Sequence, residues 1–115
     1  MQIRNSINLI GNLGANPEML NTKDGQPFAK FRVATNDAYK DKDGNRIERT
    51  EWHTIMAFGK QAEYVNESLE KGCQVALNGT LRYRHWTDKN DQKRTDAVIH
   101  LNHYTRLSPG KKTEE

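Results

Sequence analysis

The amino-acid sequence predicts an all-β domain of five strands, with one helix between the third and fourth strands. Three observations support this prediction. Apolar and polar residues alternate in five separate segments, turn residues such as Asp43-Gly44 separate those segments, and one segment has helical spacing instead. The chain has 115 residues, 34% of them hydrophobic, and a mean hydropathy of -1.00. These values indicate one small core, with either long solvated hairpins around it or a partner subunit that completes it.

The first two strands are recognised by their alternating apolar residues. The first is expected over about residues 3–13, where Gly11 and Gly14 suggest a bulge or a bend near its end. The second is expected over about residues 27–37, after a polar loop that includes residues 21–26. The inward-facing side chains of these strands are expected to be Ile7, Leu9, Leu13, Ala29, Phe31 and Val33.

The third strand contains the most informative segment, residues 50–60. The Asp-Gly turn predicts that this strand pairs back on the second as a hairpin. Successive side chains of a strand point to opposite faces, so Trp52 and Phe58 share one face and His53 lies on the other.

The helix is expected over residues 60–71. Ala62, Val65 and Leu69 form an apolar stripe at helical spacing, and Gly72 stands where a helix-terminating glycine belongs.

The fourth strand, about residues 73–86, and the fifth, about residues 94–107, are joined by a wholly polar loop. Alternation in the fourth strand places Arg82, Arg84 and Trp86 on a single face. The inward-facing residues are expected to be Val75, Leu77, Leu81 and Tyr83 in the fourth strand, and Ala97, Ile99 and Leu101 in the fifth.

The order of these elements matches a small five-stranded Greek-key barrel of the oligonucleotide/oligosaccharide-binding type, the OB-fold. In that fold, the face of the second and third strands binds extended ligands together with the flanking loops. Residues 1–108 are expected to form this one domain, and residues 109–115 a short charged tail.

Aromatic rings beside guanidinium groups on neighbouring strands suit an unpaired nucleic-acid strand, because rings stack on bases and cations bind phosphates. The net charge of +3 and the pI near 9.1 are compatible with such a polyanion. Alternation and the neighbouring charged segments favour Trp86 and Tyr39 as stacking residues, and they leave Trp52 and Phe58 open between stacking and the core. The predicted phosphate contacts are Lys30, Arg32, Arg49, Lys60, Arg82 and Arg84. Each of the first four could equally be an ordinary solvated charge. Tyr64 and Tyr83 are expected to pack, and Tyr104 is left open.

The sequence contains no recognisable catalytic or metal-binding motif, so neither an enzyme nor a cofactor is expected. His100 and His103 are three residues apart and are expected to point to opposite faces of a strand, which disfavours a shared metal. Cys73 is the single cysteine and is expected to be buried. No apolar run approaches the roughly 20 residues of a membrane span, and the first residues lack a secretory signal. A cytoplasmic location is therefore expected.

Over residues 5–107 the sequence resembles the bacterial single-stranded DNA-binding proteins. The resemblance is carried by several motifs in the same order and spacing, among them residues 9–14 (LIGNLG), 49–53 (RTEWH) and 79–86 (GTLRYRHW). It implies an OB-fold barrel, assembled as a homotetramer, that binds single-stranded DNA during replication, recombination or repair, close to the nucleoid.

The same resemblance assigns roles to individual residues. It implies that Tyr39, Trp52, Phe58 and Trp86 stack on bases and that His53 lies at a subunit interface. Tyr39 stands where many members have tryptophan, so weaker stacking is expected there. Typical members continue into a linker and an acidic tip that recruits replication and repair proteins, and residues 109–115 do not match that tip.

Three rival hypotheses remain open at this point. An RNA-binding or primosome-type OB-fold protein would share the same groove chemistry. A nuclease on a related barrel would need a cluster of carboxylates in the groove, and a protein-interaction barrel would bury the same aromatic rings against a partner.

Overall fold

The computed structural model describes residues 4–108, which form six strands and one helix. The elements are β1 (Ile7–Leu13), β2 (Glu18–Asn21), β3 (Pro27–Lys40), β4 (Arg46–Phe58), α1 (Lys60–Ser68), β5 (Gln74–Thr87) and β6 (Lys93–Arg106). The five predicted strands correspond to β1, β3, β4, β5 and β6. The predicted tail at 109–115 and the first residue of the predicted first strand lie outside the described residues.

Five strands close into a barrel in the order β1-β5-β6-β4-β3, and β1 returns to pair with β3. The neighbours are antiparallel except β4 and β6, which run parallel where Ile55 lies beside Ile99. Helix α1 packs against β2, β3 and β4 and contributes its apolar stripe to the core. The predicted five-stranded OB-fold barrel is therefore confirmed.

Barrel closure depends on Gly11 in β1. The next residue, Asn12, lies opposite Gln74 of β5 and also opposite Ala34 of β3. A Cβ atom at Gly11 would lie 2.2 Å from the carbonyl oxygen of Ala34 and 2.8 Å from Cγ1 of Val33. The two strands thus approach each other more closely than any side chain at this position would allow.

The core consists largely of the side chains that alternation and helical spacing predicted. The predicted residues found buried are Leu13, Ala29, Phe31, Val33, Ala62, Val65, Leu69, Cys73, Val75, Leu77, Ile99 and Leu101. Ile7, Leu9 and Leu81 are partly buried against this cluster. Burial of these apolar side chains is the main term that stabilises the barrel.

A bulge in β6 changes which side chains face the core. The register between β5 and β6 slips at Asn102, which is left as an extra residue. A bulge of this kind reverses the side to which the following residues point. Tyr104 therefore packs against the core, and His103 points outward, as His100 does. The prediction that the two histidines point to opposite faces was wrong, although residues 4–108 contain no group of three side chains able to hold a metal ion.

A short strand, β2, lies next to the stretch predicted as a polar loop. It pairs with the start of β3 across a turn in which Gly25 has a φ of +85°. Only Leu20 of its four residues is half-buried. Such a short strand has no alternation to recognise, and its backbone hydrogen bonds to β3 define it instead.

The helix ends at Ser68, three residues before the predicted end. Leu69 is already extended, with φ -113° and ψ 147°. Nη1 of Arg106, 38 positions further along the chain, donates to the carbonyl oxygen of Ser68 at 2.6 Å. This contact satisfies a carbonyl that the helix leaves open. Gly72, with a φ of +89°, shapes the turn into β5 rather than the helix end.

Two hairpins extend beyond the core: the β3–β4 hairpin (residues 35–51) and the β5–β6 hairpin (residues 81–97). Neither contains a buried residue, and Ala97 is exposed although alternation placed it with the core. Tyr83 in the second hairpin and Tyr64 on α1 are each 60% exposed. The prediction that these two tyrosines pack was wrong for the isolated chain, because neither lies over the barrel interior. No helix among residues 4–108 combines the length and apolar character needed to cross a bilayer.

Candidate nucleic-acid interface

The outward-pointing side chains of four strands form one surface, here called the outer face. Residues opposite each other in register point to the same side of a sheet. The outer face therefore comprises the even-numbered residues 28–34 of β3, 52–58 of β4, 80–86 of β5 and 94–100 of β6. It holds seven of the ten predicted contacts, namely Lys30, Arg32, Trp52, Phe58, Arg82, Arg84 and Trp86.

Three adjoining depressions follow this face and form a trough. The first, of about 470 Å³, lies beside Trp52, and the second, of about 390 Å³, lies beside Arg84. The third, of about 430 Å³, lies beside Trp86. Lys30 lines the first two depressions and Thr95 lines the last two, and the third also borders His85 on the reverse side of the β5–β6 hairpin. The trough therefore extends from Trp52 past Arg84 to the edge of this hairpin at Trp86.

Trp52 lies at the first end of the trough with its ring half-exposed to solvent. Its ring is 49% exposed, and Cζ of Arg32 lies 5.1 Å from the ring centroid. Gly14 lies against the same indole, because a Cβ there would come within 2.5 Å of Cζ3 of Trp52. The Gly14 N–H donates to the carbonyl oxygen of Arg32 at 3.2 Å. The ring is therefore oriented before any ligand arrives, with a cation beside it.

Trp86 stands at the other end of the trough and is 42% exposed. Its Nε1 donates to Oδ2 of Asp96 across the β5–β6 hairpin at 2.9 Å. This hydrogen bond orients the indole. Neither Asp96 nor Gly14 was predicted as a site residue. The polar loop between the fourth and fifth strands implies a register that places Asp96 close to Trp86, so this residue could have been predicted. No local pattern indicates that Gly14 contacts Trp52.

The tip of the same hairpin is fixed by Asp88. Its Oδ1 accepts the backbone N–H groups of Asn90 and Gln92 at 2.9 and 3.0 Å, and its Oδ2 accepts from Nε of Arg94 at 2.9 Å. The bond from Gln92, followed by that from Arg94, holds the pKa of Asp88 below its usual range. The turn is thus specified by local hydrogen bonds.

Phe58 is half-buried in a row of three rings on the outer face. Its centroid lies 5.7 Å from that of Phe28 and 5.0 Å from that of His100. Only part of the Phe58 ring is therefore available for stacking. Neither Phe28 nor His100 was predicted as a site residue.

Three predicted contacts lie away from the trough. Tyr39 and Arg49 are odd-numbered residues on the reverse side of the β3–β4 hairpin from Trp52. Cζ of Arg49 lies 5.5 Å from the Tyr39 ring centroid, and its Nη2 lies 3.5 Å from Oδ2 of Asp37. Lys60 is exposed at the first position of α1. The structure therefore does not bring these three together with the other seven.

His53 also points away from the outer face. It is half-buried, and its Nε2 lies 2.9 Å from Oγ1 of Thr35, within hydrogen-bonding distance. The side chain thus lies at the base of the β3–β4 hairpin, on the side opposite Trp52.

With this geometry established, comparison with known proteins decides the family. Residues 4–107 match the model of the single-strand binding protein family. The chain belongs to that family. This membership confirms the predicted resemblance, and it supports a DNA-binding protein rather than an enzyme.

Sequence relatives in the family are named single-stranded DNA-binding protein 1. The one from Xylella fastidiosa is 50% identical over 96 residues, and the one from Chlorobaculum tepidum is 42% identical over 97 residues. Each alignment covers 83% of this chain, but 71% of the first relative and 60% of the second. The chain therefore spans only part of the length of these relatives.

Solved structures of similar fold include the Plasmodium falciparum SSB in complex with ssDNA, with a TM-score of 0.83 and 27% identity over 94% of this chain and 98% of that chain. A deletion mutant of the single-stranded DNA binding protein from Thermus aquaticus gives a TM-score of 0.78 and 30% identity, over 94% of this chain and 52% of that chain. Both likenesses agree with the OB-fold barrel described above.

Proposed function

We propose that this chain binds single-stranded DNA with little sequence preference, and so protects unpaired strands during replication, recombination or repair. The observation that carries the proposal is the trough, which joins two exposed indoles through a surface that carries Lys30 and Arg84. Membership of the single-strand binding protein family supports the same function. The proposal includes a cytoplasmic location near the nucleoid. It does not include recruitment of replication and repair proteins.

The chemistry of the trough explains why sequence matters little. Every base has a π-face, and stacking on an aromatic side chain contributes about 1–3 kcal/mol per base. Every nucleotide carries a phosphate, and binding it releases counterions, which adds a salt-dependent term. Duplex DNA hides its base faces, so exposed rings such as Trp52 and Trp86 favour unpaired strands.

The test is a titration of intrinsic tryptophan fluorescence with oligo-dT, run beside a duplex and an RNA of equal length at two salt concentrations. We expect strong quenching by oligo-dT and little by the duplex. Equal or tighter binding of RNA would instead favour the RNA-binding or primosome-type alternative. Unchanged fluorescence with every nucleic acid would favour a protein-interaction barrel and refute the proposal.

Arg84 gives a sharper test of the phosphate contacts. It is exposed, and it lines the middle depression with Lys30. For Arg84→Ala we expect the slope of log affinity against log salt to become shallower by about 0.7, the value for one phosphate contact on a single strand. Lys71→Ala removes the same unit charge from the exposed turn after α1 and should keep the original slope. An unchanged slope for Arg84→Ala would remove this residue from the interface.

We further propose that the chain assembles as a homotetramer. Ile10 on β1 is 61% exposed and lines an apolar depression with Ala76 of β5. Such a large exposed aliphatic side chain on the wall of the barrel is suited to burial against another subunit. The low mean hydropathy of the chain supports the same proposal.

His53 tests where the subunits meet. If this half-buried side chain lies at an interface, His53→Lys places a charge there without a partner, and the assembly should dissociate. Sedimentation velocity measures the result directly. Asn66→Lys, on the exposed side of α1, is the control and should sediment as the wild type. A wild-type oligomer for His53→Lys would mean that His53 is not an interface residue.

A further inference from the structure

His100 occupies a position on the outer face that the predicted site does not include. It lies beside Met56 of β4 and opposite Thr80 of β5, and Met56 is in turn opposite Lys30 of β3. Its ring centroid lies 5.0 Å from that of Phe58, with an interplanar angle of 58°. A half-buried imidazole therefore lies between a proposed stacking ring and the cations of the outer face.

The surroundings of His100 favour its neutral form. Its pKa lies below the ordinary value of 6.5, first because partial burial disfavours the charged ring and second because the charge of Arg82 on β5 repels a proton. Met56 and Phe58 on β4 and Thr80 on β5 carry no charge. Lys30 on β3 is the next cation along the row, opposite Met56. At neutral pH the ring is therefore mainly an uncharged aromatic group.

We propose that His100 is a DNA contact whose protonation tightens binding, with the imidazolium joining Arg82 as a second phosphate-binding cation. This inference rests on the proposed function of the trough. Any phosphate that binds beside Arg82 offsets the repulsion that the imidazolium experiences in the free protein. The complex therefore favours a proton at His100, and that proton is taken up from solvent on binding.

The sign of the pH dependence follows from this linkage. The pKa of His100 is below 6.5 in the free protein and higher in the complex. Affinity is therefore constant above the pKa of the complex, rises as the pH falls between the two values, and is constant again below the pKa of the free protein. Near neutral pH, the uncharged His100 ring packs beside Phe58 and adds no charge to phosphate binding.

The experiment is a fluorescence titration with oligo-dT between about pH 5 and pH 8, at constant ionic strength. Thymine does not titrate in this range, so proton uptake belongs to the protein. If the complex raises the pKa by about half to one unit, the wild type should bind about three- to tenfold more tightly at the acidic end. His100→Phe keeps a ring beside Phe58 but cannot be protonated, so the ratio of its affinities at the acidic and neutral ends should lose the gain seen in the wild type, whatever its affinity at neutral pH.

His103→Gln is the matched control, because it removes an exposed imidazole from β6 beyond the bulge, outside the outer face and the trough. It should keep the full pH dependence. A His100→Phe variant that keeps the wild-type pH dependence would overturn the inference while leaving single-strand binding intact. If His100→Phe misfolds, His100→Gln undergoes the same titration with the same criterion. Failure of the wild type to bind oligo-dT at any pH would instead refute the proposed function.

Discussion

Gly11→Ala is expected to destabilise the domain by about 2–3 kcal/mol, a typical upper cost of forcing extra atoms into a packed site. The new Cβ would lie 2.2 Å from a backbone oxygen, that of Ala34, which cannot rotate away as a side chain can. Strand β1 would have to withdraw from β3, which would break the pairing of Leu13 with Val33 and open the core. Chemical denaturation followed by circular dichroism gives the change in the free energy of unfolding.

Gly14→Ala is the matched control for this prediction. Its Cβ would also meet an atom too closely, at 2.5 Å, but that atom is at the edge of the half-exposed Trp52 ring, which can turn aside. We expect a change in unfolding free energy within about 0.5 kcal/mol. Because the ring is displaced, DNA binding by Gly14→Ala should weaken. Equal denaturation midpoints for the two variants would show that the barrel does not depend on close approach at Gly11.

Trp52→Ala and Trp86→Ala are each expected to weaken binding of oligo-dT by about 5- to 150-fold, which corresponds to the 1–3 kcal/mol of one stacked base. Each substitution removes one exposed ring from an end of the trough. Trp52→Ala also leaves Arg32 without its aromatic neighbour, so part of the loss comes from a less well-placed cation. Anisotropy of a labelled oligonucleotide measures the affinity without using the tryptophans.

Tyr64→Ala is the control for both variants, since it removes an even more exposed aromatic ring from α1, outside the outer face. It should bind as the wild type does. All three variants should unfold at nearly the wild-type denaturant concentration, because none of these rings is buried. Normal binding by Trp52→Ala and Trp86→Ala would refute their role as stacking residues.

Alternation predicted most of the barrel because each strand buries one face and solvates the other. This pattern is local, and it correctly predicts that Phe31 and Val33 point inward. The same alternation also indicates the positions of Tyr39 and Arg49. Both are odd-numbered, whereas the residues of this hairpin that share a face with Trp52 are even-numbered. Parity alone would have separated these two residues from Trp52.

The remaining differences come from contacts between residues far apart in sequence. The helix ends at Ser68, whose carbonyl oxygen is bound by Arg106 from β6. The bulge at Asn102 appears only once β5 and β6 are in register. Phe58 meets His100 only because β4 and β6 run side by side in the closed barrel. No local pattern encodes such contacts, since they exist only after the barrel forms.

Neither the β3–β4 hairpin nor the β5–β6 hairpin contains a buried residue, so folding and surface recognition depend on different parts of the chain. Substitutions in these ribbons alter what the surface recognises with little penalty to folding. A protein engineer seeking new ligand preferences should therefore randomise these ribbons and leave the barrel wall untouched.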